Sequence, residues 1–120
     1  MLKISIHGFS ATGQTEMQKM LLQLVMDRQA WVVEENLSAA CVYRLRFEFA
    51  LFDIVEVYGA LQRTGIQFTP EAHRALTQVC VCEKNFADST EVKMVTVDLR
   101  VTSREELRVH FQNFARSYSV

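Results

Sequence analysis

From Cys41 to Phe49 the chain alternates without a break, with Cys41, Tyr43, Leu45, Phe47 and Phe49 on one side and Val42, Arg44, Arg46 and Glu48 on the other. Successive side chains of a β-strand point to opposite faces, so a period of two sorts the large apolar groups from the charged ones, whereas a helix would scatter both. The segment therefore demands a sheet with one buried and one polar face, and a second layer to bury the apolar side.

The same period recurs twice. Val95, Val97, Leu99 and Val101 alternate with Met94, Thr96, Asp98 and Arg100, and Leu2, Ile4 and Ile6 alternate with Lys3, Ser5 and His7. Both read as half-buried strands. Trp31-Val32-Val33 is rich in strand formers, but Glu34-Glu35-Asn36 follow at once, so only a short strand is expected there.

The covering layer is visible as a change of period. From Gln14 to Gln29, Met17, Met20, Leu21, Leu24 and Val25 recur at helical spacing after the turn signal Gly8 to Gly13, and Thr15 with Gln18 fits a capping box. From Leu51, residues Ile54, Val55, Tyr58 and Leu61 form a second stripe that ends near Gly65, where a left-handed cap is expected. Thr69-Pro70-Glu71 supplies an N-cap and a first-turn proline for a third helix with Ala72, Ala75, Leu76, Val79 and Cys80 on its apolar side. Residues 78–84 fit either a continuation of this helix, which is favoured, or a strand forming a hairpin with Val92 to Val101 across Asn85 to Glu91. Ser103 and Glu106 mark a terminal helix with Leu107, Phe111, Phe114 and Tyr118 on one side.

This order contains β-α-β-β-α-β and predicts an α+β, ferredoxin-like domain: an antiparallel sheet with helices on one face, an inserted helix and a C-terminal helix. At 120 residues, 49% hydrophobic and 22% charged, the chain suits one ordered domain spanning 1–120. The N-terminus alternates where a signal peptide would be continuously apolar, and the apolar cluster Met20 to Met26 is closed by Asp27-Arg28, so a cytoplasmic protein without membrane association is expected.

Thirteen basic and fourteen acidic residues leave a net charge of −1, which gives no general pull toward nucleic acid. Tyr43, Phe47 and Phe49 share a face with Leu45 and belong to the core, which removes the exposed aromatics that RNA-recognition domains stack on bases. Cys80-Val81-Cys82 has no second pair, so no zinc site, disulfide or cofactor is expected, and the three thiols read as free. His7, His73 and His110 stand apart from any nucleophile motif.

Gly8-Phe9-Ser10-Ala11-Thr12-Gly13-Gln14-Thr15 resembles the phosphate-binding loop G-x-x-x-x-G-K-[ST] of P-loop NTPases, and Met94 to Asp98 resembles their strand ending in a magnesium-binding aspartate. Gln14 replaces the lysine and cannot neutralise the terminal phosphates, and alternation implies antiparallel pairing where those enzymes need a parallel sheet. What survives is an alternative anion site at Gly13, Gln14 and Thr15, at a helix N-terminus.

The leading constellation is His7, Arg44, Arg46, Asp98 and Arg100, which the alternation places on one polar sheet face. Arginine offers bidentate geometry to carboxylates and phosphates, so this face suits a small anionic ligand or a protein partner. The expected function is a non-enzymatic binding or interaction domain that self-associates as a homodimer. The competing reading is a small cofactor-free enzyme, or an anion- or nucleotide-binding protein using Gly8 to Thr15. Arg44 and Arg46, read as exposed partners of surface charges, are expected to contribute little to stability.

Overall fold

The computed structural model describes residues 2–37, 41–86 and 92–104. In chain order the elements are β1 (Leu2–Ser10), α1 (Gln14–Asp27), β2 (Trp31–Leu37), β3 (Val42–Ala50), a 3₁₀ turn (Leu51–Asp53), α2 (Ile54–Arg63), β4 (Gln67–Phe68), α3 (Pro70–Phe86) and β5 (Met94–Ser103). The α+β class holds, but the ferredoxin-like arrangement does not. The five strands lie in the order β2-β3-β5-β1-β4, with β5 antiparallel to β3 and parallel to β1. Parallel strands become continuously apolar when both faces are covered. Among the described residues no helix lies on the polar face, and the parallel pair alternates like the antiparallel one, so its direction leaves no mark in the sequence.

The register runs unbroken from Leu2↔Val95 to Ser10↔Ser103 across β1 and β5, and from Val42↔Thr102 to Ala50↔Met94 across β3 and β5. Rows of apolar side chains follow: Ile6, Leu99 and Leu45 in one, Ile4, Val97 and Phe47 in the next. Against this face pack Met17, Leu21 and Val25 of α1, Ile54, Val57 and Leu61 of α2, and Ala72, Leu76 and Val79 of α3, forming a continuous core.

Several local expectations are corrected. The capping box at Thr15 and Gln18 does not form, because the helix starts earlier: Gly13 is the N-cap, without a side-chain cap, and Gln18 instead donates its amide to Glu35. The first half of the turn expected over Gly8 to Gly13 is strand, since β1 continues through Ser10. Gly8 lies so close to β4 that an added Cβ would sit 2.6 Å from Cγ2 of Ile66. β2 runs seven residues through Glu34-Glu35-Asn36, with a register shift between Val32 and Glu34. Glu34 and Glu35 suit a strand here because both find partners on β3, Arg46 and the Tyr43 hydroxyl.

The punctuation of α2 and α3 is as expected. Gly65 has φ +81° just beyond α2, and Thr69 Oγ1 accepts the Ala72 N–H at 3.2 Å ahead of Pro70. Residues 78–84 continue α3. The terminal helix expected beyond Arg104 and most of the link after α3 lie outside the described residues.

Phe47 is 1% exposed in the middle of the core. Phe47→Ala is expected to cost about 3–5 kcal/mol, the range for truncating a buried aromatic. Urea unfolding checks this, and an unchanged midpoint would mean that the two sheet faces are exchanged.

Candidate functional site

On the polar face the register aligns His7 with Arg100 and Arg44 in one row, and Ser5 with Asp98 and Arg46 in the next. Arg44 stands directly opposite Arg100, a repulsive cross-strand pair. Its side chain reaches diagonally to Asp98, with Nε donating to Oδ1 at 3.0 Å and Nη2 to Oδ2 at 2.7 Å. Arg46 divides its guanidinium between Asp98 Oδ2 at 3.6 Å and Glu34 Oε2 at 3.2 Å, which leaves its buried Nε without a hydrogen-bond partner.

Asp98 is only 4% exposed. The Arg44 hydrogen bonds hold its carboxyl below the usual aspartate range against the opposing effect of burial, with help from the charges of Arg44, Arg46 and Arg100. This corrects the expectation that the arginines are dispensable for stability. Because β5 is central, its polar side is sheltered by neighbouring side chains, and Asp98 needs its partners as any buried charge does. Thr96 and Thr102 are buried on the same side.

Arg100 differs from the other two arginines. It is exposed and makes no ion pair or hydrogen bond among the described residues. Beside it, His7 Nε2 lies 3.0 Å from Thr102 Oγ1, and the His7 ring lies 4.8 Å from that of Phe9, over which Arg104 is stacked at 5.2 Å. A cleft of about 550 Å³ opens here, lined by Ser5, His7, Asp98 and Arg100 from the sheet and by Thr69 and Glu71 from the start of α3. The short strand β4 brings α3 to this place, and the Thr69 N–H continues its ladder by donating to the His7 carbonyl at 3.0 Å.

Three of the five residues expected on this face, His7, Asp98 and Arg100, therefore line the cleft, while Arg44 and Arg46 hold Asp98 from the side. Thr69 and Glu71 were missed as site residues. Thr69-Pro70-Glu71 is legible as a helix start, but nothing in its spacing says that the helix starts against β1.

The alternative site fares differently. Only Ala11 to Gly13 separate β1 from α1, too short a link to wrap a phosphate as the eight-residue motif would. Its conformation is set internally, with Ser10 Oγ 2.8 Å from Thr12 Oγ1 and Ser103 Oγ donating to the Thr12 carbonyl at 2.8 Å. Asp98 lies five residues before the end of β5, engaged by Arg44. The parallel pairing of β1 with β5 removes one argument against a P-loop, yet the missing lysine, the short link and the mid-strand aspartate remain. Gly13, Gln14 and Thr15 sit at the start of α1 and do not line the cleft.

Cys41 is buried, and Cys80 and Cys82 are half-buried. His73 Nδ1 is 2.7 Å from the Tyr58 hydroxyl between α3 and α2, away from the polar face. No group of three or more metal-ligating side chains occurs among the described residues. Comparison with protein-family models, curated proteins and solved structures finds no match for the chain.

The Asp98 pKa is lower in the folded chain than in the unfolded one, so its pairing contributes stability fully present above the ordinary aspartate value of about 3.9 and lost as pH falls through the lowered folded value. Wild type should therefore lose stability below about pH 4 more steeply than Asp98→Asn. Arg44→Ala should lower the melting temperature by several degrees at neutral pH and Arg100→Ala should not, because only the former strands a buried carboxylate. Thermal melts across the pH range check both, and equal melting temperatures for the two arginine variants would remove Arg44 as the partner that Asp98 requires.

Proposed function

We propose that this protein is a non-enzymatic binding module whose polar sheet face receives a small anionic ligand, with Arg100 as the charge-bearing contact. One observation carries the reading: Arg100 lines a cleft of about 550 Å³ with its guanidinium in no ion pair or hydrogen bond among the described residues, while Arg44 and Arg46 are committed to Asp98 and Glu34. The volume falls within the range of about 300–1,000 Å³ typical of small-molecule sites. Hydroxyls of Ser5, Thr69 and Thr102 supply further hydrogen-bonding capacity in the cleft.

His7 and Thr102 form the one hydrogen-bonded pair in the cleft with the outline of a base and a nucleophile. Such a base works when a third group orients its other ring nitrogen, and His7 Nδ1 has no partner among the described residues. This favours binding over catalysis. Free thiols suit a reducing compartment such as the cytoplasm.

Self-association is a second and separate reading, supported by β2. It ends the sheet among the described residues, all seven of its residues are exposed, and Trp31, Val32, Val33 and Leu37 are 42–60% exposed. An edge strand with free backbone groups and apolar side chains is a template for pairing with another chain.

For the ligand, titration calorimetry with inorganic phosphate and small carboxylates should find binding that weakens about tenfold or more in Arg100→Gln, the size expected for losing a charge-assisted contact. Affinity unchanged by the substitution would overturn the assignment. For self-association, light scattering behind size-exclusion chromatography should give the mass of two chains, falling to one in Val33→Lys. A wild-type mass of one chain at high micromolar concentration would remove the second reading.

A further inference from the structure

The charges around the cleft divide into two sets. Arg44, Arg46, Asp98 and Glu34 form a closed network of two positive and two negative groups, which neutralises itself. Outside that network stand Arg100 on β5 and Glu71 in the first turn of α3. Both are exposed, both line the same cleft, and neither has an ion pair or hydrogen bond among the described residues, so they are not paired with each other.

Resting on the reading of the cleft as an anion site, we infer that its ligand is a small zwitterion of the amino-acid type, with its carboxylate at Arg100 and its ammonium group at Glu71. A plain anion would satisfy Arg100 but meet repulsion from Glu71, and desolvating an unpaired carboxylate beside it would weaken binding further. A ligand bearing both charges engages both walls. Apart from the Asp98 network, the acidic and basic side chains of the lining are Glu71 and Arg100, whose formal charges are opposite, as are those of a zwitterion. Ser5 and Thr69, also in the lining, place hydroxyls where polar atoms of the ligand can be met.

The rival explanation of Glu71 is purely local: an acidic residue in the first turn stabilises a helix through its dipole. That role affects stability and leaves ligand preference untouched, so the two separate experimentally.

Titration calorimetry on the full chain with the proteinogenic L-amino acids, their des-amino carboxylates, their C-terminal amides and inorganic phosphate is the test. At least one amino acid should bind, and its des-amino analogue and its amide should each bind about tenfold or more weakly. Glu71→Gln should abolish the preference for the amino acid over the des-amino analogue while leaving the analogue's own affinity unchanged or improved. Arg100→Gln should abolish the preference over the amide. Melting curves of both variants should match wild type within a few degrees, since both side chains are exposed. If phosphate or the des-amino carboxylates bind as tightly as any amino acid, or if Glu71→Gln changes melting and no preference, the zwitterion is excluded while the anion site stands. If no probe binds, or if both variants bind every probe like wild type, the anion site itself falls with it.

Discussion

The position of β5 governs this molecule. As the third of five strands it is hydrogen-bonded on both sides, with helices over one face and the long side chains of its neighbours over the other. A carboxylate at its midpoint is then 4% exposed although no helix or strand among the described residues lies above it. Burying an unpaired charge is far costlier than a typical surface pair is favourable, so the bidentate contact from Arg44 is a condition of having Asp98 there at all. The pair also fixes register. Slipping β3 by one residue would turn Arg44 and Arg46 toward the apolar core and turn Phe47 outward.

Much of this was legible because a two-residue period is a local property. The faces of β1, β3 and β5 follow from alternation alone, and with them the sharing of one face by His7, Arg44, Arg46, Asp98 and Arg100. Which strand lies beside which is not local. Nothing in Leu2 to His7 or Met94 to Val101 distinguishes a parallel from an antiparallel pair, because both segments alternate, so the ferredoxin-like order was a default and it failed. The misjudged depth of Asp98 is the same failure at the level of one residue, since a strand at the edge would have left that carboxylate in solvent. Glu34-Glu35-Asn36 looked like the end of a short strand because strand propensity is an average over contexts, and here Arg46 and Tyr43 supply the context. Two residues of β4 are too few for any period to register.

That two-residue strand is nevertheless what makes a cleft possible. β4 covers β1 only at Gly8 and Phe9, and a Cβ at position 8 would crowd Ile66 and Phe68, so glycine lets the two segments approach. The chain then turns at Thr69-Pro70, and the Thr69 N–H bonded to the His7 carbonyl pins the start of α3 to the β1 edge. Farther along β1, beside Ser5, no strand among the described residues continues the sheet. The cleft is thus a consequence of ending a strand early, and Glu71 reaches it because the first turn of α3 is held there.

The two ends of the sheet are suited to different partners for the same physical reasons. At the β1 end, the first turn of α3 stands against the edge, and the lining carries the charged groups Arg100 and Glu71, of opposite sign, beside the hydroxyls of Ser5, Thr69 and Thr102, which oppose pairing with an apolar strand and suit a small charged solute. At the β2 end nothing among the described residues covers the outer edge, and Trp31, Val32, Val33 and Leu37 are exposed along it. Edge strands are commonly guarded by charges and bulges. Here the bulge lies at Val33, and the two acids on the strand are drawn inward, Glu34 to Arg46 and Glu35 to Tyr43 and Gln18. Their charge is spent on holding β2 to its neighbours, which weakens the guard and leaves that edge the better suited of the two to a protein surface.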